Sequence, residues 1–200
     1  MRPHSRETLE VRRAALIKAA VASLAERGLA ASVRDVAARA RVSPGLIRHH
    51  FGSFGALLAE AYRQVAGQVD ARIEAALAAA GDDPERRLTA FLEVSFQPSI
   101  VDRDLLSAWL GFWGMVRRDA AAAAVHAETF AAYRRRIEAL LTDLAGARPG
   151  IGPVDARLGA LGLAAMLDGL WLELCLDPST FSPQEAVRMA RAWVDGFLGG

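Results

Sequence analysis

Apolar residues recur along this chain at helical spacing, and no pair of alternating runs flanks a hairpin turn. Leu9, Leu16, Ala19, Ala20, Ser23 and Leu24 fall on one side of a helix over residues 6–27, which Gly28 can end in the left-handed conformation. Val33, Val36 and Ala37 mark the inward side of a short helix that Ser32 can cap. A three-residue turn leads to Ser43, a second cap, and to a helix with Pro44 at its first position and Leu46, Ile47 and His50 facing inward. Ala37 and Ala40 are small where these two helices must cross. Leu57, Leu58, Ala61, Tyr62, Val65 and Val69 carry a longer helix over residues 53–80, closed by Gly81 and Pro84. Further helices are expected over residues 84–96, 102–116, 119–144, 154–176 and 183–198, with a Gly/Pro loop over 145–153. The expected fold is therefore all-α, with about nine helices.

Two short helices joined by a tight turn form helix-turn-helix geometry, whose second helix fits the DNA major groove. Pro44, Gly45, Arg48 and His49 project outward from that helix. Arg34, Ser43, Arg48 and His49 are the expected DNA-facing set, with Ser32 and Arg41 near phosphates. An ordinary buried helical hairpin would show the same spacing, and a solvated face could show the same charge, but the two together favour DNA. Residues 1–52 hold ten Arg or Lys against four Asp or Glu, whereas the whole chain carries +1, leaving −5 to residues 53–200. A basic front on a mildly acidic protein suits a polyanion. The division expected is a DNA-binding head at 1–52 and a regulatory body at 53–200. Arg134, Arg135 and Arg136 read as a solvated helix face.

One cysteine, Cys175, excludes an intrachain disulfide and any multi-cysteine metal site. His49 and His50 are adjacent and so point to different helix faces, and His126 stands alone, which leaves no catalytic constellation. No catalytic residue, metal or cofactor is expected. Arg12-Arg13 is followed too soon by Lys18 for an export signal, and the apolar stretch 158–176 contains Asp168 and Glu173, costly in lipid. A cytoplasmic protein without a membrane partner is expected. That stretch is apolar nearly all round, with Gly159, Gly162, Ala165 and Gly169 on a small-residue face, and the last helix adds Met189, Trp193 and Phe197. A symmetric four-helix contact between two copies would cover both; a monomeric core around one central helix is the alternative.

The head residues Ser32-Val-Arg-Asp-Val-Ala, Ala40, Val42-Ser43, Gly45, Ile47, Phe51 and Leu57 resemble the TetR family of one-component repressors. In the body, Ala108-Trp-Leu-Gly-Phe-Trp113, Arg134-Arg-Arg136 and Leu167-Asp-Gly-Leu-Trp-Leu172 resemble its BetI-like, choline-responsive subgroup. The resemblance covers essentially the whole chain. It implies a homodimer on a palindromic duplex operator, released when a small-molecule inducer binds the body. Three positions depart from the family's habit: Arg41 replaces a turn glycine, Arg48 a tyrosine, and Phe54 a lysine that touches phosphate. Trp109, Phe112 and Trp113 on one helix and Trp171 near Asp168 on another suggest an aromatic and carboxylate cage for a quaternary ammonium group, with Glu93 in reach. A larger hydrophobic drug or acyl ligand is the second reading. A helical scaffold with a basic head for a partner other than DNA is the third.

Overall fold

A computed structural model describes residues 3–151 and 154–199, and every regular element among them is helical. In chain order these are α1 (Pro3–Arg27), a single 3-10 turn (Gly28–Ala30), α2 (Val33–Arg39), α3 (Pro44–Phe51), α4 (Phe54–Ala80), α5 (Pro84–Ser95), α6 (Arg103–Val116), α7 (Ala120–Ala147), α8 (Ala156–Leu176) and α9 (Pro183–Gly199). Helix α1 starts three residues before its expected first residue, and α7 runs three residues into the expected loop before Pro149 disfavours further helix. At α8 the cap is Asp155, whose carboxylate accepts the Leu158 N–H at 3.0 Å.

The chain divides into two compact units, residues 1–67 with 103–129 and residues 68–102 with 130–200. In the first, α1, α2, α3 and the start of α4 share one core with α6 and the start of α7. Leu16, Leu24, Val36, Ile47, Leu57, Tyr62, Phe112 and Val125 are buried together there. Close approach of α1 and α6 depends on Gly111, where a Cβ would lie 3.0 Å from the Leu24 side chain. Leu9, expected on the inward stripe, is instead exposed. Arg13, one turn further on, already reaches Phe51 at the last residue of α3, so the turns before it run past the helices they were expected to cover.

In the second unit Phe91, Leu92, Ile137, Leu141, Leu163, Leu167, Trp171 and Val194 form the core. Helices α8 and α9 pack through two glycines. A Cβ on Gly159 would lie 2.5 Å from the Phe197 ring, and one on Gly162 would lie 2.6 Å from the Trp193 ring. These two rings stack on each other at 5.4 Å. Gly159 and Gly162 thus receive the aromatics of their own chain. Within one chain α8 leaves Leu158, Leu161, Ala165, Gly169 and Leu176 exposed along one stripe. By length and hydropathy α8 could cross a membrane, but the packing of its other side against α9 is that of a core helix. Arg136, read as part of a solvated face, is half-buried and pairs with Asp70 and Glu74, each at 2.6 Å. Helix geometry accounts for this: Arg134 and Arg135 lie on other faces of the turn.

Candidate nucleic-acid interface and ligand residues

Each end of α2 is closed by local chemistry. Ser32 Oγ accepts the Asp35 N–H while the Asp35 carboxylate accepts the Ser32 N–H at 2.9 Å, a reciprocal capping box. These bonds from Ser32, and then the charge of Arg27, hold the Asp35 carboxyl below the usual range. At the other end Val42 N–H reaches the Ala37 carbonyl at 2.9 Å and Arg41 N–H the Ala38 carbonyl at 3.1 Å. That is the Schellman pattern, with Arg41 at φ +55° in the position glycine usually fills. An arginine in this conformation costs about 1–2 kcal/mol.

Ser43 starts α3, but its hydroxyl makes no capping bond. Leu46 N–H is taken by the Ser43 backbone carbonyl at 3.0 Å, and Pro44 has no N–H to offer. The Ser43 side chain is left exposed beside Pro44, Gly45, Arg48 and His49, while Ile47 turns into the core. Ser32, Arg34 and Arg41 are exposed on the same unit. A depression of about 530 Å³ runs along this face, lined by Val33, Pro44, Gly45, Ile47, Arg48, Gly52, Ser53 and Phe54.

Sequence reasoning missed what steadies the far end of α3. Arg13 of α1 donates to the His50 carbonyl, and its guanidinium lies 4.3 Å from the centre of the Phe51 ring. A cation at a helix C-terminus is favourably placed against the dipole. Burial, reinforced by the charges of His49, Arg13 and Arg12, pushes the His50 imidazole below its usual pKa.

The residues proposed for a ligand divide between the two units. Trp109, Phe112 and Trp113 lie in the first, in an aromatic cluster that the sequence did not reveal in full. Tyr62 of α4 is its centre, stacked on Phe112 at 4.7 Å, edge-on to Trp109 at 5.0 Å, and hydrogen-bonded through its hydroxyl to His126 Nδ1 at 2.9 Å. Phe112 is fully buried, whereas Trp109 and Trp113 are half-buried. Glu93, Asp168 and Trp171 lie in the second unit. Trp171 is buried and its indole N–H donates to the Ile100 carbonyl at 2.8 Å, so its polar edge is engaged; Glu93 is exposed. Asp168 is half-buried, and burial raises its carboxyl to about 6. Tyr133 of α7 is close enough that burial and then the Asp168 charge push its phenol upward. Among the described residues, no three His, Cys, Asp or Glu side chains are placed to hold a metal ion.

Comparison with known proteins agrees over both halves. Residues 16–61 match the family described as bacterial regulatory proteins of the tetR family, and residues 84–199 match the BetI-type transcriptional repressor C-terminal family. The HTH-type transcriptional regulator BetI of Burkholderia thailandensis is 34% identical over 191 residues, covering 94% of each chain. That of Stenotrophomonas maltophilia is 34% identical over 92% of each. A crystal structure of a Pseudomonas aeruginosa PAO1 protein assigned as a transcriptional regulator superposes with a TM-score of 0.88 at 41% identity, covering 100% of this chain and 93% of that one. A regulator from Saccharomonospora viridis, solved in complex with choline, shares the fold with a TM-score of 0.77 at 22% identity, covering 92% and 95%.

Proposed function

The chain belongs to the TetR family of transcriptional regulators, with a BetI-type repressor C-terminal domain, and from that premise we propose that it acts as a homodimer on a palindromic operator and is released by a small organic cation. It works in the cytoplasm and performs no catalysis. The head, residues 1–52, reads DNA, and residues 53–200 regulate it. Arg34, Ser43, Arg48 and His49 face the bases, with Ser32 and Arg41 at phosphates. The observation that carries this reading is the exposure of all six on one compact basic unit, around a turn that holds Arg41 outward at φ +55°. Arg48 can pair with guanine O6 and N7.

Dimerisation is assigned to α8 and α9, where the exposed stripe of Leu158, Leu161, Ala165 and Gly169 and the exposed Met189 call for a cover. For the inducer, the supporting observation is Asp168. A carboxyl with a pKa of about 6 is ionised near neutrality, and among the described residues no cation pairs with it. A half-buried charge of that kind favours a cationic ligand. The faces of Trp109 and Trp113 are a separate, aromatic contribution to test. Ligand binding then shifts the population between an arrangement that fits the operator and one that does not.

Selection of duplexes from a random pool by the purified protein should return a palindrome with half-sites about one turn apart. Choline and betaine aldehyde should then release that duplex and change tryptophan emission. Release by an uncharged lipophile, with no response to millimolar choline, would favour the hydrophobic-drug or acyl-ligand reading instead.

A further inference from the structure

The turn between α6 and α7 belongs to the same compact unit as the helix-turn-helix, and it is tightly fixed. Arg118 N–H and Asp119 N–H both reach the Met115 carbonyl, at 2.8 and 2.9 Å. The Asp119 carboxylate accepts the Ala122 N–H at 2.8 Å and so caps α7. That same carboxylate lies against Gly55, where a Cβ would stand 2.4 Å from Oδ2. Gly55 is two residues past Ser53, which with Phe54 borders the depression beside Pro44, Gly45 and Arg48. A chain of direct contacts therefore places Arg117 and Arg118 next to the start of α4, at the edge of the recognition face. Both arginines are exposed, and neither takes part in an ion pair among the described residues. Helix α4 brings no cation of its own to this edge. Its first is Arg63, which is paired with Glu60 at 2.9 Å.

We infer that the α6–α7 turn is a second DNA-backbone contact, outside the helix-turn-helix, in which Arg117 and Arg118 meet phosphates flanking the half-site. The inference rests on the DNA-binding reading above and adds a site to it. Although these arginines lie outside residues 1–52 in the chain, α6 shares a core with α1 and Tyr62 and so carries them on the same compact unit as the helix-turn-helix. Phosphate contacts carry no sequence information, so the arginines strengthen binding to all sequences alike and add steeply to its salt dependence.

The test measures binding of the full chain to a fluorescent random-sequence duplex of roughly 30 base pairs, about three turns, across a salt series. Each phosphate contact contributes about 0.9 to the slope of log K against log salt. The double variant Arg117→Gln, Arg118→Gln should lower the slope by up to about two without changing the melting temperature, while Arg135→Gln, at an exposed position of α7, should leave it unchanged. An unaltered slope in the double variant overturns the inference and leaves the DNA reading standing. An equal fall in the Arg135→Gln control also overturns it, since net charge alone would then explain the loss. Failure of the wild-type protein to bind any duplex at low salt would remove the DNA reading itself.

Discussion

At the scale of single residues, Arg41 carries two opposed contributions. Its left-handed backbone weakens the fold, and its exposed guanidinium suits a phosphate. Arg41→Gly should raise stability by up to about 1 kcal/mol, read by urea denaturation, while lowering the salt slope of DNA binding by about one. Arg48→Ala should act differently, relaxing preference at one symmetric operator position by about 1–3 kcal/mol. Unchanged sequence selectivity in that variant would exclude Arg48 from base reading. Asp168 makes a prediction in pH. Its folded-state pKa of about 6 lies above the ordinary value of 3.8. The native state therefore holds a proton that the unfolded chain has lost, and stability should fall as pH rises from about 4 to about 6 and then level off. The loss is at most about 3 kcal/mol and is smaller in practice because the carboxyl is only half-buried. Asp168→Asn should flatten this profile and blunt the choline response, both followed by thermal melts with and without ligand.

At the scale of elements, the periodicity of apolar residues was enough to place the nine α-helices among the described residues, because most bury one face and are closed by a recognisable cap or breaker. Ser32, Asp83 and Asp155 show why: each side chain accepts an N–H at the start of its helix. Less legible was which partner each face meets. The small face of α8 pointed to close approach, but spacing alone could not tell a neighbouring helix of the same chain from one of a second copy. Phe197 and Trp193 occupy Gly159 and Gly162, and the exposed stripe begins one position away at Leu158 and Leu161. Likewise Trp109, Phe112 and Trp113 were visible as a cluster on one helix, but Tyr62, 47 residues before Trp109 in the chain, could be joined to them only in three dimensions. Gly162→Leu should overfill the space beneath Trp193 and cost about 1–3 kcal/mol. A loss of monomer stability in urea, at concentrations too low for assembly, would distinguish this from a purely intersubunit effect.

At the scale of the whole molecule, the exposed stripe on α8 and the outward arginines of the head make separable demands. Leu161→Glu should place charge in the proposed subunit contact without disturbing the buried side of α8. Sedimentation velocity should then show a folded monomer, and binding to a palindromic duplex should weaken far more than binding to a single half-site. Persistence of the dimer in that variant would move the subunit contact elsewhere. The distribution of indoles has a practical consequence of its own. Of the four tryptophans, Trp109 and Trp113 sit in the first compact unit and Trp171 and Trp193 in the second. The Trp171 N–H is bonded to a carbonyl in the core, and Trp193 is stacked on Phe197. Replacing those two by phenylalanine would leave a protein whose red-edge emission comes wholly from the pair beside Tyr62 and His126. Such a chain carries its own optical gauge, in which the emission of Trp109, whose ring meets Tyr62 edge-on at 5.0 Å, reports on the packing of α4 against α6 with no dye attached.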